Sequence, residues 1–369
     1  MSAIRSSVGN LSVLALALAF APAATAQVNW ESLPYTRHAD LQAVNSNGSP
    51  AYAGGFPLRV RGVLLNAPGS VFSDAPSFIP VDWPRTAFQF GGRQQPYVQA
   101  VDLNDSGGTA MFLAQCLGNH PVNQDDAFSY TNEQWTAEVF RLTRDAATGH
   151  VFQPGDLVEV RARAGLHFSG KFNINEAHSN NPSNDYDVVL LQAGFGLPRP
   201  LSVKLSDVKS PANLDIFDPA RTAGGERFQS QLVLLRNVTI APGSDWRREG
   251  LITLTDGVRT IPAILGTSPS FDTAPAPTGT LDILGIFDQE ASPSPIGGLN
   301  GYRLIALDVP SFRPACPADF NADAQADFFD FLDFAAAFAA VDPSADFNSD
   351  GQVDFFDYLD YAQAFASPC

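Results

Sequence analysis

The sequence predicts a mainly β chain: two small barrels in tandem, followed by a short α-helical module built from one duplicated unit. Three observations point there. Between residues 57 and 310, strand-length apolar runs recur, divided by Gly, Pro and Asn clusters. Residues 318–339 and 345–366 carry one 22-residue segment written twice, identical at 16 positions and offset by 27 residues. Charge is uneven as well: residues 316–369 hold 11 Asp and no Lys, Arg or Glu, so they carry −11 of the chain's −17.

The chain divides from its N-terminus as follows. Residues 1–26 read as a signal peptide. Arg5 supplies the positive start, residues 11–21 the apolar run, and Ala24-Thr25-Ala26 a small-x-small cleavage site. That run is shorter than the roughly 20 residues a membrane helix needs, and no later run is longer, so no membrane span is expected. An N-terminal segment follows over 27–56. The mature protein is expected to be secreted or cell-surface associated, in an oxidising compartment. A bridge between Cys316 and Cys369 would close a loop of roughly 54 residues and add about 4 kcal/mol by the chain-entropy account. Cys116, in an apolar stretch, reads as a buried inert thiol.

In the first barrel, 57–197, strands are expected at 58–65, 86–90, 97–103, 109–116, 157–164 and 187–192, with a helix over 131–144 starting at Asn132-Glu133. In the second, 198–310, strands are expected at 231–240, 251–255, 260–265, 280–287 and 302–308. Pro-rich linkers are expected at 197–200, at 268–277 inside the second set, and at 309–317. Five strands with a helix between the third and fourth is the order of an OB-like barrel. One larger β-sandwich is the alternative.

The tail, 311–369, carries the most specific chemistry. Each copy opens Asp-x-Asn-x-Asp and places Asp at its twelfth loop position, the oxygen-ligand spacing of a calcium loop. The first ligand set is Asp319, Asn321, Asp323, the Gln325 carbonyl, Asp327 and Asp330. The second is Asp346, Asn348, Asp350, the Gln352 carbonyl, Asp354 and Asp357. Two Ca2+ ions are therefore expected. Pro314, Pro317 and Pro343 argue against helices entering the loops, while Phe331, Phe334 and Phe338, repeated as Tyr358, Tyr361 and Phe365, predict a helix leaving each. Twelve aromatics in residues 316–369 exceed what so small a core hides easily, so Phe328-Phe329 and Phe355-Phe356 are either core or an exposed contact surface.

These duplicated loops, half EF-hands bracketed by cysteines, resemble a type I dockerin, in particular the GC-type dockerin-like tails of bacterial secreted proteins. The resemblance covers about 50 residues. It implies two calcium ions, an antiparallel pair of loop–helix units and attachment to a cohesin-like or cell-surface sorting partner. The Phe pairs stand at the loop positions that contact cohesin in cellulosomal dockerins, where small polar residues are usual, which makes Phe328, Phe329, Phe355 and Phe356 the partner-binding candidates. The sixth loop position, favouring Gly, is Ala324 in the first copy and Gly351 in the second. In the body, Gly155-Asp156-Leu157-Val158-Glu159-Val160, the strand at 231–240, Leu254-Thr255-Asp256-Gly257 and Gly279-Thr280-Leu281-Asp282-Ile283 resemble OB domains of the YhcR type. That resemblance does not reach a nuclease part.

The body shows no phosphate loop, nucleotide fingerprint or nucleophile elbow. One polar segment, 171–185, gathers Glu176, His178 and Asp185, with His178 as candidate general base and either acid as a ligand. A polar interstrand loop is the preferred reading of it. His120 and His167 are isolated and read as surface or packing residues. The acidic balance disfavours nucleic acid. An oligosaccharide or other polymer could stack on aromatics such as Trp83, Phe88, Phe90, Tyr97, Trp135 or Trp246. The leading expectation is a non-catalytic binding or adaptor protein anchored by its tail; the alternative is a tethered hydrolase, nuclease or polysaccharide-active, working around Glu176–Asp185.

Overall fold

A computed structural model describes residues 28–76, 91–115, 130–175, 186–292, 297–321, 323, 325–348, 350–366 and 369. The expected signal peptide, the strand expected at 86–90, Cys116, His120, Trp83, Phe88, Phe90 and the whole Glu176–Asp185 candidate lie outside the described residues.

The first body begins with the one-turn helix α1 (His38–Leu41) and contains β1 (Leu58–Leu64), β2 (Arg93–Gln94), β3 (Tyr97–Gln99), β4 (Gly108–Ala114), helix α2 (Asn132–Leu142), β5 (Leu157–Ala162), β6 (Leu166–Phe168), β7 (Lys171–Asn175) and β8 (Asp187–Gln192). The main sheet runs β6-β7-β4-β3-β1-β5-β8, with β2 paired to β4. Val60, Met111, Trp135, Val158, Val160 and Ile174 form its core under α2. The helix cap is Thr131, not Asn132: its side chain accepts from the Gln134 N–H while the Gln134 side chain accepts from the Thr131 N–H, a reciprocal capping box. The N-terminal segment is folded onto this sheet, with fully buried His38 lying 2.8 Å from Thr109 Oγ1 and 3.2 Å from the Arg61 carbonyl.

The second body contains β9 (Leu201–Val203), the short turn of helix α3 (Leu205–Val208), β10 (Gln231–Ile240), β11 (Leu251–Thr255), β12 (Thr260–Leu265), α4 (Ser270–Thr273), β13 (Leu281–Gln289), β14 (Tyr302–Ala306) and β15 (Phe312–Pro314). It holds a closed five-stranded barrel in the order β10-β11-β12-β14-β13-β10, antiparallel except for β12–β14. The barrel interior is filled by Val233, Leu235, Ile252, Ile261, Ile283 and Leu304. Closure is consistent with the OB-like expectation. The linker expected at 309–317 is instead structured as far as Pro314, because β15 pairs with the free edge of β13.

The first sheet repeats four of these five pairings: β1–β3, β3–β4, parallel β4–β7, and β1–β5. The fifth is not formed among the described residues. There β5 takes β8 as its second neighbour and β7 takes β6, so closure is seen among the described residues in the second body alone.

The two bodies share a buried seam of Leu65, Val71, Tyr97, Ala110, Leu232, Ile286 and Ile305. Their backbones come close enough that a Cβ on Gly108 would sit 2.0 Å from the Ser230 carbonyl, which reserves that position for glycine. Within the seam Lys171 Nζ reaches Asp288 Oδ1 at 2.8 Å, and Arg303 Nε donates to Asp288 Oδ2 at 2.7 Å. Burial pushes the Asp288 carboxyl up, but the Lys171 and Arg303 charges outweigh it and hold it at about 2. Glu226 shows the opposite balance. Desolvation dominates, and the Arg221 guanidinium and the Tyr302 hydroxyl offset it only in part, leaving this acid at about 7.

Two outcomes follow from those groups. Asp288→Asn should cost about 3 kcal/mol or more in chemical denaturation, since removing one member of a buried pair strands its partners. Glu226 binds its proton more tightly folded than unfolded, so its stabilising term is complete below the ordinary glutamate range and is lost as pH rises through about 7. Glu226→Gln should flatten that fall in stability between pH 4.5 and 7, read from denaturation midpoints across the window.

Candidate metal centre

The tail folds as two loop–helix units. The first loop leads into α5 (Phe328–Ala339) and the second into α6 (Phe355–Phe365). Cys316 and Cys369 are disulfide-bonded across the ends of the module, with a Cα–Cα distance of 5.5 Å. No α-helix enters either loop among the described residues; Pro343–Ala345 forms a single 3-10 turn before the second.

Sequence duplication becomes a local two-fold. Phe334 and Tyr361, equivalent residues at the 27-residue offset, stack on each other at 4.0 Å between ring centres, and both are fully buried. Contacts off this axis occur in exchanged pairs. Phe331 meets Phe365 at 5.8 Å and Phe338 meets Tyr358 at 6.1 Å; Phe320 meets Tyr361 at 5.9 Å and Phe347 meets Phe334 at 6.3 Å. A self-complementary face of this kind is what two-fold packing demands.

Both loops close on their twelfth residue. Asp330 Oδ1 accepts from the Asn321 N–H and Oδ2 from the Asp327 N–H, at 2.8 Å each. Asp357 repeats this with Phe347 and Asn348 on one oxygen and Asp354 on the other. Desolvation pushes the Asp357 carboxyl up, but those backbone N–H groups outweigh it and hold it below the usual aspartate range. The ninth residues, Asp327 and Asp354, cap the helices instead of facing the loop interior alone; each accepts from the N–H two residues on, Phe329 or Phe356.

The remaining expected ligands sit in the loops. Asp323 N–H donates to Asp319 Oδ1 and Asn321 Oδ1, as Asp350 N–H does to Asp346 Oδ1 and Asn348 Oδ1. Gln325 and Gln352 N–H groups donate to the Asp323 and Asp350 carboxylates. Gly351 holds φ at +90°, the left-handed conformation the sixth position needs, and its N–H reaches Asp346 Oδ2; Ala324 lies outside the described residues. Carboxylate oxygens of Asp319, Asp323 and Asp330 all lie within 4.8 Å of one another, with Asp319 and Asp330 buried. Three carboxylates and an amide in one turn of chain form an all-oxygen donor set. That set suits a hard cation and repels itself without one.

The Phe question has a clear answer. Phe328, Phe329, Phe355 and Phe356 are each more than 60% exposed, while the other aromatics of the tail pack inward. Leu332 and Leu359, one turn further along each helix, are exposed beside them. The two copies therefore present matching Phe-Phe-x-x-Leu patches. Sequence reasoning missed a different feature, the barrel cations that meet these loops. Arg236 reaches the Cys316 and Asp319 carbonyls, Arg199 the Asn321 carbonyl, and Lys204 the Asp346 carbonyl.

In the body, Tyr97 and Trp135 are fully buried and Trp246 packs against the barrel core, so these three are structural rather than stacking platforms. His167 is a half-buried residue of β6, in keeping with packing, and desolvation lowers its pKa. A cleft of about 520 Å³ lies between Tyr35–Arg37 and the turn at 101–105. Among the described residues no helix is long and apolar enough to cross a membrane. No family model matches the chain, and no curated protein matches it.

The core and surface aromatics should separate experimentally. Phe334→Ala or Tyr361→Ala should destabilise the tail by about 3–5 kcal/mol, as large buried-aromatic truncations do. Phe355→Ala and Phe356→Ala should each shift it by about 0.5 kcal/mol or less. Hydrogen exchange over residues 318–366 reads both.

Proposed function

We propose that this chain is an exported, non-catalytic binding or adaptor protein whose dockerin-like tail is a calcium-dependent anchor. The observation that carries the reading is the division of labour among the tail's aromatics: one set builds a two-fold core, while the equivalent Phe pairs stay in water on both helices. Nothing in the tail's own packing calls for four exposed phenylalanines, and contiguous exposed apolar side chains are characteristic of contact surfaces. Asp327, Asp354 and Asp360 flank the patches and residues 316–369 hold no basic residue, so the partner should offer an apolar groove rimmed by Lys or Arg. Calcium is the cation the loop spacing and the all-oxygen donors favour. Asp319, Asn321, Asp323 and Asp330 would hold the first ion, and Asp346, Asn348, Asp350 and Asp357 the second, with the Gln325 and Gln352 carbonyls supplementing them. Calcium would neutralise the converging carboxylates and fix the loops from which α5 and α6 start. The two bodies in front of the tail, read as OB-like, would carry an oligosaccharide or other polymer.

Calorimetry on the full chain should register two calcium ions. Asp323→Ala and Asp350→Ala, at exposed fifth positions, should each remove one. Undiminished uptake by the double variant would sink the calcium reading. Replacing Phe328, Phe329, Phe355 and Phe356 together by Ala should keep both ions yet abolish retention of the protein at the cell surface; retention equal to the unaltered chain would count against the Phe patches as the anchor.

A further inference from the structure

We propose that the face of the closed barrel around Arg199, Lys204 and Arg236 is a built seat for the tail, and that docking on this seat and calcium loading of the two loops are one coupled equilibrium. The proposal rests on the calcium reading above and extends it from the tail into the barrel.

The seat begins with a β-bulge. The β10–β13 register shifts between Leu235 and Val238, and Asn237 adopts a positive φ of 56°. Asp282, on the facing strand, fixes the bulge: Oδ1 accepts from the Asn237 N–H at 2.9 Å, and Oδ2 accepts from Arg236 at 2.8 Å and from the Cys316 N–H at 3.1 Å. A bulge re-aims a side chain, and this one sends buried Arg236 out of the barrel to the Cys316 and Asp319 carbonyls. Lys204, just after β9, donates from Nζ to the Asp346 carbonyl at 3.0 Å. Asp319 and Asp346 are equivalent, each the first residue of its loop, so the barrel grips the same carbonyl in both copies, once with a guanidinium and once with an ammonium. Arg199 adds a 2.8 Å bond to the Asn321 carbonyl and a 3.1 Å ion pair to Asp333. A cavity of about 420 Å³ lies in this seam, lined in part by Phe320 and Phe347, another equivalent pair.

Every accepting carbonyl but that of Cys316 belongs to a candidate ligand residue. Those carbonyls converge on the seat only when the loops hold their shape, and the loops concentrate negative charge that a bound cation would compensate. Docking therefore favours the calcium-bound loops, and by reciprocity calcium favours docking. The opposing effect is repulsion between seat cations and calcium. Arg236 is neutralised by Asp282 and Arg199 is paired with Asp333, so long-range repulsion is small at physiological salt while the short hydrogen bonds persist. The first loop lies deeper in the seat: Asn321 is buried and its equivalent Asn348 is exposed.

The test uses the full chain with calcium as the only ligand. Lys204→Ala and Arg199→Ala alter partly exposed side chains, and each should leave two ions bound but weaken calcium affinity by about 3- to 10-fold. Lys204→Arg should recover most of the loss. In parallel, calcium should slow hydrogen exchange in barrel peptides spanning 199–204 and 234–238, far from any ligand carboxylate in sequence. Unchanged or tighter calcium binding in the Ala variants, or barrel exchange indifferent to calcium, would overturn the coupling while leaving the calcium loops standing. Absence of calcium uptake by the unaltered chain would overturn the calcium reading itself, and the coupling with it.

Discussion

Two buried carboxylates, Asp330 and Asp357, are the constraint on which the functional end of this chain depends. Each spends both oxygens on backbone N–H groups, tying the start of its loop to the start of the following helix. A carboxylate withdrawn from water must be compensated or it protonates. Here the compensation comes from the loop backbone. The loop thereby acquires its curvature, the helix its first turn, and the neighbouring carboxylates their convergence. As the N3 residue of its helix, each also accepts from the N–H of the capping Asp, completing a reciprocal capping box at the start of α5 and α6.

The same economy of contacts holds the body together. Asp288 is reached from the first body by Lys171 and from its own barrel by Arg303, and Glu290 pairs with the same two cations, so two carboxylates and two cations balance across the seam. Apolar contacts of Tyr97 and Ala110 with Leu232 and Ile286 surround it. Placing such a pair in the interior is expensive unless geometry is good and other hydrogen bonds complete it. Lys171 meets that condition with a further 2.6 Å bond to the Gln289 carbonyl. The seam therefore specifies one relative placement of the two bodies more sharply than apolar contact alone would.

Much of this was legible in the sequence, and the reasons differ by region. The closed barrel's strands were readable because each is long, apolar and bounded by turn residues, as at 231–240 and 260–265. The tail's core was readable from Phe331, Phe334 and Phe338 at helical spacing. Closure was not, because a barrel and an open sheet share nearly all their pairings and differ in one, and among the described residues the second body alone shows that one. Short strands were missed where they adjoin polar residues. Lys171–Asn175 was taken for the start of a loop, though Phe172 and Ile174 alternate with polar neighbours as strand residues do. Thr131 lost its capping role to Asn132 in the sequence reading because both residue types cap well, and only the reciprocal bond with Gln134 decides between them. The Phe pairs were undecidable from composition, since their exposure depends on how the two-fold places the helices.

The seat on the barrel was invisible to sequence for a related reason. Arg199 and Lys204 flank β9, Arg236 lies in a separate strand, and the three form no motif. They converge because parallel pairing lays β9 against β10 and because a bulge turns Arg236 outward. The consequence bears on the proposed anchoring role. A module on a slack linker leaves its cargo free to tumble, whereas one held at Cys316, Asp319, Asn321 and Asp346 fixes the barrel's orientation relative to whatever covers the Phe patches. β15 tightens this further, because the chain leaves the barrel as a paired strand and reaches Cys316 only two residues later. A surface contact made through the helices would thus carry directional information into the body, and it would do so through backbone carbonyls whose positions the loops themselves determine.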